Sequence, residues 1–319
     1  MRRLGATLAA GLSLVAASVI APSSVVAAPS DPTAGQARAS QWWLAGLGVS
    51  KAQEVTRGEG VTVCVVDHAF DGTHPDLVGA DVSMGDDLTH AKPSDFLGTI
   101  AQFHGTSMTA LIVGQGSGPG RLEGTLGTAP KAKVRWVTVA QEGEPSALDG
   151  IKACADLGAD VISVSLDGAG HPEVMGYAQA RDAVVVVGTG NGGSSQEIND
   201  LAGLWGVLSV TGVDASLQRD PRANTAPARF PFSDLKPEPK NEDRGGAAVA
   251  GPYSRVASTS ETCKDIITPK VGGGYRGACG TSDATAIVAG IVALVRSAHP
   301  ELNAANVVNR IVRTTKPSG

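Results

Sequence analysis

Positive charge is in short supply in this 319-residue chain, where 26 lysines and arginines face 31 aspartates and glutamates for a formal net charge of −5. With no basic patch to break that mildly acidic balance, nucleic acid is not an expected partner. Long apolar runs are missing after the N-terminus. The best candidate, Ala284 to Val295, falls well short of the about 20 residues that cross a bilayer and is cut by Gly290, so no transmembrane segment is expected in the mature chain. No histidine cluster has metal-ligand spacing, and no metal or cofactor is expected. His74, His90, His171 and His299 fall in turns or at a helix end and read as structural or solvent-exposed. Internal repeats are absent, which excludes solenoids and propellers.

What remains is a chain of 42% apolar content, suited to one large domain with a proper core. Arg2-Arg3, an apolar stretch from Ala6 to Ile20 and the small residues Val25-Val26-Ala27-Ala28 read as a signal peptide over 1–27, which places the protein outside the cell or on its surface. Residues 28–59 form an N-terminal extension expected to pack on the domain of 60–319, within which the proline-rich 219–246 reads as a surface insertion. Only four cysteines are present, and in an exported chain they suggest bridges. Cys263 and Cys279 bracket the loop Val271-Gly272-Gly273-Gly274-Tyr275 and are the favoured pair. Cys64 and Cys154 read either as buried small hydrophobes or as a second bridge.

From Gly60 the chain alternates β-branched runs with amphipathic segments. Strands are expected at 61–66, 80–83, 133–139, 160–164, 183–187 and 207–211, and helices at 104–114, 146–158, 173–181, 282–298 and 303–314. Such a pattern predicts an α/β fold, a parallel central sheet with helices on both faces in three α/β/α layers. Three residues sit at element ends. Asp67 closes the strand Val61–Val66, His104 opens a helix, and Ser282 follows Gly280-Thr281 at the mouth of the long small-residue helix. Strand C-termini and helix N-termini converge on one edge of a parallel sheet, so these three distant residues can meet. A serine at a helix N-terminus has backbone N–H groups and the positive dipole end beside it, an imidazole can take its proton, and a carboxylate can hold that imidazole. A fourth segment, Gly188-Thr189-Gly190-Asn191-Gly192-Gly193, follows an apolar strand. Its glycines also fit a dinucleotide-binding pattern with Asp214 downstream, a reading that leaves Asp67, His104 and Ser282 unexplained.

Val65-Val66-Asp67 with His74-Pro75-Asp76-Leu77, His104-Gly105-Thr106 and Gly280-Thr281-Ser282 resemble the three signature blocks of the subtilisin-like serine proteases, the subtilases. The resemblance implies a secreted serine endopeptidase in which Asp67, His104 and Ser282 are catalytic. It further implies that Asn191 and the backbone N–H of Ser282 stabilise the oxyanion. Val161-Ile162-Ser163-Val164-Ser165-Leu166-Asp167 resembles the strand that pairs with substrate, so Ser165, Leu166 and Asp167, with Ala250 and Gly251 across the cleft, are the implied substrate-binding residues. The lead-in Gln41-Trp42-Trp43-Leu44, Ala129-Pro130-Lys131-Ala132 and Val249-Ala250-Gly251-Pro252-Tyr253 narrow the likeness to the mycosins of type VII secretion. That implies a protein or peptide substrate and type VII secretion components as partners.

Four positions depart from the subtilase pattern. His68 follows Asp67 where a small hydroxyl residue is usual, and Ser107 replaces a second histidine. Asp167 stands where glycine is usual, facing either the pocket, where it favours small or basic residues, or solvent. Asp283 follows Ser282 in place of an apolar residue and is expected to face outward as a first-turn acid. These changes keep a second reading open, an inactive subtilase-fold protein that binds peptides in a secretion system.

Overall fold

Runs of valine with no polar alternation are buried on both faces, and here they make the centre of the molecule. The computed structural model describes residues 31–89, 100–140, 143, 145–193, 195–225, 249–252, 266–270 and 272–315, with only the backbone described at 100–102, 250 and 252. Three short helices, α1 (Ala34–Ala39), α2 (Trp43–Gly46) and α3 (Val49–Ala52), lead into strands β1 (Thr62–Asp67) and β2 (Asp81–Asp87). Helix α4 (Ile100–Val113) is followed by a small hairpin, β3 (Gln115–Ser117) and β4 (Glu123–Leu126). Next come β5 (Lys133–Thr138), α5 (Ala147–Asp156), β6 (Val161–Val164), α6 (Pro172–Gln179), β7 (Val184–Gly188) and β8 (Val207–Val213). After β9 (Val249–Pro252), a second hairpin of β10 (Ile266–Lys270) and β11 (Gly274–Ala278) precedes α7 (Thr281–Ala298) and α8 (Ala304–Thr314).

Seven strands form one sheet in the order β2-β5-β1-β6-β7-β8-β9, and every pairing is parallel. In β1, Val63 sits opposite Val134 on one side and Val161 on the other. Successive side chains of a strand face opposite ways. Val63 and Val65 therefore join the core with Leu111 of α4 and Ile287 of α7, while Cys64 and Val66 join the one with Ile151 of α5 and Met175 of α6. The three layers expected from the sequence are present. Helix α7 is 18 residues long and, by length and composition, apolar enough to cross a membrane, which corrects the expectation that no such segment follows the N-terminus. Most of it is buried as the central helix of its layer. A Cβ at Gly290 would lie 2.6 Å from Cβ of Thr128, so glycine allows this close approach.

Residues 31–59 are held by side chains that satisfy backbone groups. A capping box at Thr33 and Gln36 starts α1. Gln41 exchanges both ends of its amide with the backbone of Leu126, at 2.8 and 2.9 Å. Arg38 donates to the carbonyls of Gly124, Glu123 and Arg121, and Gln53 to those of Gly127 and Thr128. Trp43 is fully buried.

Cys64 and Cys154 form a disulfide, Cα atoms 5.7 Å apart, that joins β1 to α5. The bridge resolves the two sequence readings in favour of a covalent link. Its sequence separation of 90 residues would contribute about 4–5 kcal/mol through the unfolded chain. Cys279 is also disulfide-bonded; Cys263, its expected partner, lies outside the described residues, as does the expected insertion beyond residue 225.

Candidate active site

Three sheet strands, β1, β6 and β7, end at the same edge as the start of α7, and the residues there line a cleft of about 360 Å³. Asp67 is the last residue of β1 and is fully buried. Its Oδ2 lies 2.7 Å from Nδ1 of His104, while its Oδ1 accepts from the backbone N–H of His68 at 2.8 Å. The departure at His68 leaves this carboxylate uncrowded, because the ring Nδ1 of His68 faces the Val139 carbonyl at 3.2 Å. His104 does not open its helix as expected. Helix α4 begins at Ile100 and carries His104 in its second turn, with the imidazole 24% exposed to the cleft. The neighbouring residue has to be glycine: a Cβ at Gly105 would lie 2.1 Å from the Ala69 carbonyl oxygen and 2.4 Å from the Trp136 ring. Packing α4 this close to the end of β1 brings the imidazole to Asp67.

Ser282 is the second residue of α7, half-buried, just inside an extended Gly280 N-cap. Its Oγ donates to the Ser165 carbonyl at 3.3 Å, and Ser165 Oγ donates back to the Ser282 carbonyl at 3.1 Å. The hydroxyl thus rests on the wall formed by the end of β6, in the same cleft as His104. Catalytic hydrogen bonds in unliganded sites are often formed only when substrate is bound. On the other wall, Asn191 Oδ1 accepts from the Thr281 N–H at 2.9 Å, and Thr281 Oγ1 accepts from the Gly190 N–H at 3.1 Å. The glycine segment after β7 is thereby fastened to the start of α7. Among the described residues it opens no helix before β8, so it lacks the helix N-terminus that a dinucleotide site requires.

Ser165, Leu166 and Asp167 line the cleft with Gly188, Gly190 and Asn191. Asp167 is exposed, and its Oδ1 is 3.9 Å from where a Cβ on Gly190 would stand. The Ala250 side chain lies outside the described residues; Gly251, next to it on β9, is not among the described lining residues, and a Cβ there would meet the Ala284 carbonyl at 2.9 Å. Ser107 is buried and bonds Thr268 and Pro269 of β10, so this departure ties α4 to the second hairpin. His74 and Asp76, also buried, hold that hairpin through the Gly274 carbonyl at 3.0 Å and the Tyr275 hydroxyl at 2.9 Å.

Asp283 corrects the sequence reading. It is 4% exposed and lines the cleft with His104 of α4 and Arg276 of β11, where solvent was expected. Burial pushes its carboxyl up to about 6, against the opposing pull of His104, Arg276 and its own backbone N–H. Burial alone would lower His104, but the charge and hydrogen bond of Asp67, with Asp283 adding to them, raise it overall while Arg276 works against the rise. Arg276, on β11, was not marked in the sequence, where the hairpin read only as a glycine-rich loop.

A cleft at the carboxyl ends of parallel strands, with a buried aspartate on an imidazole and a serine at a helix mouth, defines the class of the subtilisin-like α/β peptidases. Residues 58–319 match the Subtilase family, and the chain belongs to it. It is 29% identical over 318 residues to Mycosin-3 of Mycobacterium tuberculosis, an alignment covering 84% of this chain and 65% of that protein. Fervidolysin of Fervidobacterium pennivorans is 30% identical over 193 residues, 54% of this chain and 26% of its own length. The chain thus spans about a quarter of one curated relative and just under two thirds of the other. The solved structure of MycP3 protease from the type VII (ESX-3) secretion system superposes with a TM-score of 0.60 at 25% identity, covering 87% of this chain and 82% of that one.

Proposed function

We propose that the protein is an exported serine endopeptidase in which Ser282 is the nucleophile, His104 the general base and acid, and Asp67 the carboxylate that orients His104. The observation that carries this is the 2.7 Å contact between His104 Nδ1 and the fully buried Asp67 Oδ2. With the proton held on Nδ1, Nε2 is left as the base for Ser282 and later returns that proton to the leaving amine. The tetrahedral oxyanion would take donors from the Asn191 amide and the Ser282 N–H, next to the positive end of α7. The bond from Thr281 N–H to Asn191 Oδ1 sets which end of that amide is the donor.

Substrate would run along Ser165–Asp167 as an extended strand, giving affinity through main-chain hydrogen bonds and selectivity through the pocket. Asp167 supplies negative charge beside Gly190, and we assign it a preference for lysine or arginine before the scissile bond. The likeness to Mycosin-3 and to a type VII secretion protease supports exported proteins as substrates and type VII components as partners. The signal-like N-terminus supports export, and the bonds made by Arg38, Gln41 and Gln53 support retention of the extension in the mature enzyme.

Protein recovered from culture medium is expected to begin near Ala28 and to cleave fluorogenic peptides with lysine at that position faster than those with alanine. Asp167→Asn should lower kcat/KM for the lysine peptide roughly fivefold, the scale of one exposed ion pair, and leave the alanine peptide within twofold. An equal fall for both peptides would remove Asp167 from specificity, and an N-terminus near Gly60 would make the extension a removable segment.

A further inference from the structure

Two groups in the cleft have no part in the mechanism above, the buried Asp283 and the Arg276 facing it. Asp283 follows the nucleophile on the same helix and shares the cleft lining with His104 and Arg276. A carboxylate in the core is costly unless something nearby compensates it. Arg276 is that compensation only in part. Its guanidinium lies 6.0 Å from the Phe103 ring, and its buried Nε has no hydrogen-bond partner among the described residues. The arginine thus acts on Asp283 and His104 chiefly through its charge.

The other charges around Asp283 are few among the described residues. Helix α7 packs on α4, α8, β1, β6, β7, β8 and β9. From α4 comes His104, from β1 Asp67 behind it, and beyond the end of β6 the exposed Asp167. Strands β6, β7, β8 and β9 carry no charged residue within their own limits. The charges of α8 and Arg296 belong to the opposite end of α7, where Arg296 is bonded to Asp182.

We propose that Asp283 is a second carboxylate for His104, carried by the nucleophile's own helix, and that Asp283 and Arg276 together set the pH at which His104 becomes a base. The proposal rests on His104 being the catalytic base. Asp67 fixes the tautomer by direct contact; Asp283 acts through space, favouring the imidazolium, and Arg276 disfavours it. The imidazolium is the form His104 takes in the transition state, so a buried anion near it also assists the step that Ser282 initiates. Burial pushes Asp283 up to about 6 while its charge raises His104, so the two groups titrate as a coupled pair and the acid limb of the rate profile belongs to both.

The sign for each variant follows. Asp283→Asn keeps the shape and removes the anion, so His104 stays neutral to lower pH and the acid limb moves down by about one pH unit, the scale of a nearby opposite charge. The limb should also sharpen to a single proton. Arg276→Gln removes the opposing cation, so the limb moves up. The test measures the His104 pKa by NMR on histidine-labelled full-length protein, beside the pH dependence of kcat/KM on a fluorogenic peptide, for wild type and both variants. Opposite displacements in the two variants support the proposal. A His104 titration unmoved in both overturns it, and Arg276→Gln with Asp283→Glu decides the matter if Asp283→Asn fails to fold. NMR displacements without any peptide cleavage would leave the tuning standing and overturn the catalytic reading instead.

Discussion

Asp67→Asn is expected to lower kcat about 10⁴-fold while the protein stays folded. The geometry says why the loss is so large for so small a change. Oδ1 of Asp67 is committed to the His68 N–H, and an amide would keep its oxygen there. Its NH₂ would then stand against His104 Nδ1, in the place of Oδ2. Two donors cannot face each other, so Nδ1 gives up its proton and Nε2 takes it. The imidazole then has no lone pair to accept the Ser282 proton, and the change amounts to about 5.5 kcal/mol of transition-state stabilisation. KM should move little, because nothing in substrate pairing touches Asp67. A fall of less than tenfold, measured with active-site-independent protein quantitation, would show that His104 does not depend on this carboxylate.

The second large effect is expected at Asn191. Asn191→Ala should reduce kcat about 10²–10³-fold, the loss of one oxyanion donor, with KM nearly unchanged. The same change removes the acceptor for the Thr281 N–H at the start of α7, a cap-like bond that contributes about 1 kcal/mol to stability. Asn191→Asp separates the two effects. It keeps an oxygen for Thr281 and offers no amide donor, so it should recover the melting temperature but not the rate. Recovery of both would assign Asn191 to the architecture of the helix mouth alone.

Much of this was legible in the chain. Continuous valine runs such as Val184–Val187 can be buried only when both faces of a strand are covered, so the parallel sheet and its layers follow from composition and spacing. The grouping of Asp67, His104 and Ser282 follows in turn, because parallel strands deliver their C-terminal residues to one edge. The hairpin of β10 and β11 was not legible. Pro269 and the Gly272–Gly274 run carry turn signals, and the strands form because Ser107, His74 and Asp76 hold them from elsewhere in the sequence. Asp283 was misread for the same reason. A first-turn acid ordinarily faces water, and the packing of α4 against α7 buries this one. The link between Cys64 and Cys154 likewise depends on α5 lying over β1, a relation that two cysteines at a sequence separation of 90 do not display. Helix α4 was placed four residues late, which hid the fact that His104 lies in the second turn.

The account stands on Ser282 being an activated nucleophile, and the direct measurement is labelling of the folded, purified protein with a fluorophosphonate probe, beside Ser282→Ala. One covalent adduct per chain, mapped to the peptide containing Ser282 and absent from the variant, is the predicted result. A folded wild type that remains unlabelled across the neutral and alkaline pH range would contradict it and make the cleft a peptide-binding site without catalysis.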